Sequence, residues 1–276
     1  MSRNKIAFYS IPFPGIDCYS KLIDSAVEHG LSAIEGFCHL ELTEPDIEAA
    51  RRIREYADSR GIHFCCFSVF ADIVQEDAAE QIERLKRFAD VAAVLGSPFL
   101  HHTAITSNDP QILEEPTYQQ LFDRGVAGIR EIYDYAATKG VRAIYEDQAF
   151  IFNGVDGIGK LLNTVDRDIG LVADFGNIGQ ADETIVPFIR RYADRIVHVH
   201  LKDTNPADAD TPMALLTRQG HWIAEVEIGQ GTVDFTQALA LLRESGYNGY
   251  YALEYGAPED DSDNIDLALR LIEQWI

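Results

Sequence analysis

Short apolar runs alternate with amphipathic stretches along the whole chain. Each run is rich in β-branched and other apolar residues over about four to eight positions, which is typical of strands buried on both faces of a parallel sheet. The runs predict eight strands, at positions 5–10, 31–37, 62–70, 98–104, 141–147, 169–175, 195–202 and 249–255.

Between the strands, apolar residues recur at three- and four-residue spacing, which predicts helices. The two clearest helices run from Ile47 to Ala57, with Thr43 as N-cap, and from Ala78 to Leu95, with Gly96 at the C-cap. Repeated βα units without a Pro- or Ser-rich linker predict an α/β fold, a single (β/α)₈ TIM barrel that forms one domain over residues 1–276. A doubly wound open sheet is the alternative, but the nucleotide-binding motifs GxGxxG after the first strand and GxxxxGK[ST] are missing from the sequence.

Strands five to eight each end on a side chain that can bind a divalent cation. Successive strands of a barrel are neighbours, so their C-terminal ends converge on the face where such barrels carry their active sites. Any of these residues could instead cap a helix or pair with an arginine, but that does not explain four of them at equivalent strand ends. Three carboxylates and an imidazole suit Mn²⁺, Mg²⁺ or Co²⁺. We therefore expect one shared metal site formed by Glu146, Asp174, His200 and Glu254.

Composition narrows the classes of partner. The chain is 46% hydrophobic and 25% charged, as expected of a globular protein with a real core. Its 23 basic and 45 acidic residues give a formal charge of −22, which predicts that neither nucleic acid nor a membrane is a partner, because both are anionic. No apolar stretch is long enough to span a membrane and no signal peptide is recognisable, so we expect a cytoplasmic protein.

Three segments carry a family resemblance: HVHLKD at 198–203, EIGQGTVDF at 227–235 and GYNGY at 246–250. Together they resemble the sugar phosphate isomerase/epimerase superfamily, the xylose-isomerase-like TIM barrels. The resemblance covers nearly the whole chain. It implies one divalent metal ion, with Mn²⁺ as first choice and Co²⁺, Mg²⁺ or Zn²⁺ as alternatives. In that family the metal is held by a Glu, Asp, His and Glu set that corresponds to Glu146, Asp174, His200 and Glu254.

The resemblance does not single out one substrate. It implies an isomerase or epimerase that acts on a ketose, a polyol-derived ketone or a similar hydroxy-carbonyl through an enediolate, with Glu146 and Glu254 as catalytic base and acid. A dehydratase of the inosose or dehydroshikimate type is the alternative, because the same intermediate can expel a β-hydroxyl group. An endonuclease-like or non-catalytic barrel is a weaker alternative. The partner expected is a small carbohydrate or polyol, and the resemblance allows a homodimer or homotetramer.

Five further residues are predicted to bind the substrate: His102, Gln148, Asn177, Lys202 and Arg218. Many relatives have a histidine where this chain has Asn177, and an asparagine can hydrogen-bond a hydroxyl group but cannot act as a general base. With Gln148, it predicts a neutral pocket that recognises hydroxyl groups. Arg218 lies in the long connection 204–232, which either covers a surface patch or closes over the substrate.

The positions of His101, His198 and Glu35 are predicted, but no role in catalysis or substrate binding is assigned to them. Because side chains alternate along a strand, only one of His101 and His102 can face the barrel interior. His198 is expected to be a hydrogen-bonded core histidine one layer below His200. Glu35, at the end of the second strand, is a candidate for the rim of the site.

Overall fold

Eight parallel strands close into a barrel in the computed structural model, which describes residues 5–9, 16–75, 77–254 and 262–275. The predicted barrel and all eight strand positions are confirmed, while positions 10 and 255 lie outside the described residues. In chain order the strands are β1 (Ile6–Tyr9), β2 (Ala33–Phe37), β3 (His63–Val69), β4 (Phe99–His102), β5 (Arg142–Glu146), β6 (Gly170–Asp174), β7 (Ile196–Leu201), β8 (Asp203–Pro206), β9 (Leu215–Leu216), β10 (Trp222–Val226) and β11 (Tyr251–Leu253). The order around the barrel is β1-β11-β7-β6-β5-β4-β3-β2, and β8, β9 and β10 form a separate sheet.

Helices follow the strands, and their apolar faces pack with the outer face of the barrel into the main hydrophobic core. No helix in the described part of the chain combines the length and apolar character needed to cross a bilayer. The helices are α1 (Tyr19–Glu28), α2 (Ile47–Arg60), α3 (Ala78–Leu95), α4 (Thr117–Thr138), α5 (Gly154–Val165), α6 (Ile185–Tyr192), α7 (Phe235–Glu244) and α8 (Ser262–Trp275).

The two helices predicted most clearly show where local sequence signals succeed and fail. Helix α3 has the predicted bounds, and Gly96 ends it in the left-handed conformation with φ of 73°. Helix α2 continues to Arg60, and its N-cap is Asp46 rather than Thr43. The Asp46 carboxylate accepts the backbone N–H groups of Glu48 and Ala49, so it satisfies two donors that the first turn leaves free.

A small second core fills the barrel interior below the polar strand ends. Ile144 and Val172 lie two positions before Glu146 and Asp174, so they point to the same face one layer deeper. Small side chains from β1, β2 and β3 belong to the same cluster: Ala7, Ala33, Cys65 and Cys66. This layer of the interior is therefore apolar, whereas buried polar side chains occupy the barrel above it.

The connection between β7 and α7, an excursion that covers residues 202–234, is a folded unit rather than a loop. Strands β8, β10 and β9 form an antiparallel sheet in that order. The Asp203 carboxylate accepts backbone N–H groups from four residues of this excursion: Thr204, Gly229, Gly231 and Val233. A Cβ atom at Gly231 would collide with that carboxylate. Asp203 therefore anchors the excursion.

Candidate metal centre

The four predicted metal ligands meet at the C-terminal end of the barrel. Glu146 and Asp174 end β5 and β6, His200 lies in β7, and Glu254 directly follows β11. One ligand atom from each lies within 4.8 Å of all the others. His200 Nδ1 is 2.7 Å from Glu146 Oε1, 3.4 Å from Glu254 Oε2 and 3.6 Å from Asp174 Oδ2. The neighbouring strands thus bring together residues that are 108 positions apart in sequence, from 146 to 254.

The donor set fits one divalent cation. Asp174 Oδ1 accepts the backbone N–H groups of Gly176 and Asn177, each at 2.8 Å. Asp174 Oδ2 is buried and has no hydrogen-bond partner among the residues that the structure describes. Lys202 Nζ at 3.4 Å and His200 Nδ1 at 3.6 Å are its nearest cationic groups, and a cation bound directly to this oxygen would satisfy it more fully. Three carboxylates and one imidazole nitrogen are also the ligand types that divalent cations such as Mn²⁺ and Mg²⁺ accept.

The carboxylates of the centre differ in acidity. Burial raises the pKa of Glu146 and raises that of Glu254 well above the usual value, and nearby positive charges only partly offset this. Burial acts in the same direction on Asp174, but Lys202 and His200 outweigh it and lower the pKa of that carboxyl. Asp174 is thus an ionised carboxylate, whereas the two glutamates are closer to the range in which a carboxyl group can exchange protons.

Lys202 is enclosed by carboxylates from three different elements. Its Nζ atom lies 2.6 Å from Glu254 Oε1, 3.4 Å from Asp174 Oδ2 and 3.3 Å from Glu225 Oε1. Burial lowers the pKa of Lys202, but these carboxylates raise it well above the usual value, so the group remains a cation. Glu225 was not predicted, because it belongs to the excursion and reaches the site only through the pairing of β10 with β8.

Glu35 lies inside the barrel, not at the rim. Its carboxylate is fully buried and lies 2.6 Å from His198 Nε2 and 3.1 Å from His200 Nε2. The pairing of β2 with β3 shifts register between Ile34 and Glu35, a local irregularity that the apolar pattern does not reveal. Burial raises the pKa of Glu35, but His200 and His198 outweigh it and lower the pKa well below the usual value. The predicted hydrogen-bonded core role of His198 is confirmed.

His101, rather than His102, faces the metal ligands. His101 Nδ1 lies 2.9 Å from Ser68 Oγ, and its ring centroid is 5.3 Å from that of His200. The ring of His102 points away from the cluster, where Nδ1 donates to the Thr103 carbonyl and Nε2 accepts from the Tyr145 hydroxyl. Strand alternation alone could not decide which of the two histidines faces the cluster, and the predicted role of His102 in substrate binding stays a prediction.

The burial of His102 has a consequence for stability in acid. Burial lowers its pKa from 6.5 to about 4, so between these values the unfolded chain binds a proton that the folded chain does not. We expect this group to cost about 2 kcal/mol of stability between pH 7 and pH 5. His102→Gln, which keeps a polar partner for Tyr145, should lose less stability over that interval in urea unfolding. Equal losses in the variant and the wild type would contradict this assignment.

A cavity of about 80 Å³ opens beside the cluster. Gln148 and Asn177 line it, as the prediction of a neutral, hydroxyl-recognising pocket requires. Glu146 and Glu254 line it as well, so two of the four predicted metal ligands border the cavity. The other lining residues are Tyr9, Phe37, Ser68, Val69, Phe70, His101 and Thr103.

Arg218 does not line this cavity. Its guanidinium group donates to the carbonyl groups of Phe150 and Asn153, in the segment between β5 and α5. The side chain therefore ties the excursion to that segment, and its predicted role in substrate binding stays a prediction.

Comparison with known proteins places the chain in a family. The xylose isomerase-like TIM barrel family matches residues 23–275. Inosose dehydratase of Clostridium botulinum is 29% identical over 153 residues, which are 52% of this chain and 50% of that protein. Inosose dehydratase of Yersinia enterocolitica is 23% identical over 240 residues, 80% of this chain and 79% of that protein. The chain spans about half the length of the first curated relatives that it matches.

The solved structures give the same fold. D-allulose 3-epimerase from Methylomonas sp. superposes with a TM-score of 0.75 and 20% sequence identity, covering 100% of this chain and 99% of that one. Fold, ligand geometry and the match over residues 23–275 agree, and the chain belongs to the xylose isomerase-like TIM barrel family.

Proposed function

We propose that this protein is a divalent-metal-dependent isomerase or epimerase of a small hydroxy-carbonyl compound, such as a ketose or a polyol-derived ketone. One observation carries the proposal. Glu146 and Glu254 both belong to the metal cluster and both line the cavity beside it. Two carboxylates that border the substrate space from different strands are suited to removing and returning a proton.

Glu146, Asp174, His200 and Glu254 would hold the ion, with Mn²⁺ as first choice because the set combines hard oxygen donors with one imidazole. When bound, such an ion acts as a Lewis acid that stabilises negative charge on substrate oxygens. His200 uses Nδ1 toward the cluster, while its Nε2 faces Glu35. Asp174 is held in place by two backbone N–H groups, so it can serve as a ligand without moving.

Proton transfer is assigned to the two glutamates. One carboxylate removes the proton from the carbon next to the substrate carbonyl, and an enediolate results. If the other glutamate, as a carboxylic acid, donates its own proton to the same carbon from the opposite side, that centre is inverted and the reaction is an epimerisation. If the proton returns to the neighbouring carbon, the carbonyl group moves and the reaction is an isomerisation. The raised pKa values of Glu146 and Glu254 suit both roles.

Substrate recognition is assigned to Gln148, Asn177 and Lys202. The two amides can both donate and accept, as hydroxyl groups require. Lys202 contacts Asn177 Oδ1 at 3.3 Å and can donate to a substrate oxygen at the edge of the cluster. The carboxylates around this space disfavour a phosphate group, so the substrate we propose is an unphosphorylated carbohydrate or polyol ketone.

A dehydratase is the second candidate, and two observations favour it. The curated relatives reported above are named inosose dehydratase. In addition, the Lys202 ammonium group lies 2.6 Å from Glu254 Oε1, so a cation stands beside a proton-exchanging carboxyl group where a β-hydroxyl could leave. Expulsion of that hydroxyl from the enediolate, with a proton donated by the Glu254 carboxyl group, gives an unsaturated ketone and water.

An assay in D₂O separates these reactions. The protein, loaded in turn with Mn²⁺, Co²⁺ and Mg²⁺, is incubated with 2-inosose, D-allulose, D-tagatose and 3-dehydroshikimate, and the products are followed by NMR and ultraviolet absorption. An epimerase or isomerase incorporates deuterium next to the carbonyl and converts one sugar into another. A dehydratase produces an absorbing unsaturated ketone. Metal-loaded protein that leaves all four compounds without exchange, conversion or water loss would count against the proposal.

A further inference from the structure

A chain of hydrogen bonds crosses the barrel interior from His200 to His101. Glu35 lies at its centre, 3.1 Å from His200 Nε2 and 2.6 Å from His198 Nε2. Ser68 Oγ hydrogen-bonds the Glu35 carboxylate and lies 2.9 Å from His101 Nδ1. Every member is at least 97% buried, so these groups cannot exchange their partners for bulk water.

The protons in this chain determine which nitrogen of His101 carries hydrogen. A carboxylate only accepts hydrogen bonds, so the neighbours of Glu35 donate to it. Ser68 has one hydroxyl proton, and its donation to Glu35 leaves only lone pairs for His101. Nδ1 of His101 must therefore donate to Ser68, and in a neutral imidazole Nε2 then keeps its lone pair.

That lone pair is buried and has no hydrogen-bond partner within the described ranges of the chain. The nearby Glu146 Oε2 is 3.7 Å from His101 Nε2, which is too long for a hydrogen bond, and it too is an acceptor. Both residues line the cavity. A buried acceptor without a donor raises the free energy of the empty site, and a ligand that brings a donor removes this cost.

We propose that His101 Nε2 accepts a hydrogen bond from a substrate hydroxyl group beside Glu146, and that Glu35 and Ser68 are positioning residues that hold His101 in the required tautomer. This inference rests on the proposed function and adds a specificity element to it. The substrate must carry a free hydroxyl group on the Glu146 side of the cavity. A phosphate or carboxylate there would present only acceptors and negative charge, so the site selects a neutral polyhydroxy ketone.

The tautomer is measurable without any substrate. In Mg²⁺-loaded protein with ¹⁵N-labelled histidine, long-range ¹H–¹⁵N correlation spectra show which ring nitrogen is protonated, and the His101 signals are those lost in His101→Asn. We expect Nδ1–H in the wild type. Ser68→Ala and Glu35→Gln should each shift the population toward Nε2–H. Should Glu35→Gln fail to fold, Ser68→Ala, a small change in volume, still tests the chain of hydrogen bonds.

The hydroxyl contact is tested with D-allulose and 2-inosose as probes. On binding, either sugar should shift the His101 Nε2 resonance of the wild type. His101→Asn removes the acceptor and should weaken binding about tenfold, whereas His101→Gln places an amide oxygen near the Nε2 position and should weaken it by less than about threefold. Equal affinity of wild type and His101→Asn would overturn the contact, as would a wild type that binds neither sugar.

Two other outcomes would overturn the inference. An Nε2–H tautomer in the wild type would overturn the role of Glu35 and Ser68. A second metal ion per chain that is lost in His101→Asn would identify His101 as a metal ligand instead. Failure of the proposed function looks different, because sugar binding and the Nδ1–H tautomer would then persist without deuterium exchange, conversion or water loss.

Discussion

Replacing Glu146 by glutamine is expected to lower turnover of the substrate found in the D₂O assay by about two to four orders of magnitude. The substitution keeps the size of the side chain and an oxygen that can face the ion, but it removes the group that exchanges a proton. Burial has already raised the pKa of Glu146 toward the working range, and glutamine has no equivalent state. Deuterium incorporation next to the carbonyl, measured by NMR, should fall by the same factor.

Two control variants make this result specific. Glu55→Gln makes the same chemical change on the exposed surface of α2 and should leave turnover unchanged. Metal content and affinity are measured on Glu146→Gln itself, so that activity is compared at saturating metal. If the metal-saturated variant retains wild-type turnover, Glu146 is not the acid or base, and the proton steps assigned to it are wrong.

The second large effect concerns metal binding and stability. An ion that binds only the folded chain stabilises it by about 4 kcal/mol when its concentration is about a thousand times the dissociation constant. We therefore expect Mn²⁺ to raise the melting temperature of chelator-treated protein by several degrees, with about one ion bound per chain in elemental analysis. The reason lies in the buried cluster, where several carboxylates share the positive charges of His200 and Lys202.

Ligand and non-ligand variants separate this response from general effects on folding. Asp174→Asn and His200→Ala should lose most of the Mn²⁺-dependent shift, because the first removes a negative charge from the cluster and the second removes its imidazole nitrogen. His221→Ala is the matched control: its side chain is 71% exposed in the excursion and should leave the shift intact. An equal Mn²⁺ response in wild type and both ligand variants would mean that the stabilising ion binds elsewhere.

Some features of the site follow from local pattern. Apolar runs that end on a polar residue predicted four strand ends correctly, because a strand buried on both faces can accept a metal ligand only where the barrel interior opens at its C-terminal end. Gln148 and Asn177 could be placed near the cavity for the same reason, since each follows a strand end by only a few residues.

Other features depend on contacts between segments distant in sequence. His101 and His102 are equivalent in a sequence pattern, and only the position of β4 against β3 directs one toward Ser68 and the other toward Tyr145. The charge of Arg218 suggested a substrate-binding residue from sequence. In the fold, its guanidinium group donates to the backbone carbonyl groups of Phe150 and Asn153. The sequence of a long connection does not predict where a side chain points, because it lacks the regular apolar spacing of a helix or a strand.

The sequence by itself determined the barrel, its strand positions and the four residues that cluster at the candidate metal centre, because burial period and strand ends are local properties of the chain. Tertiary structure alone decided the depth of Glu35, the arrival of Glu225 beside Lys202 and the choice of His101 for the cavity. These depend on a register shift, on the pairing of an excursion sheet and on strand orientation. Each of these features depends on how two distant segments pair with one another. The hydrogen bonds between the segments determine it, and the sequence of either segment alone does not.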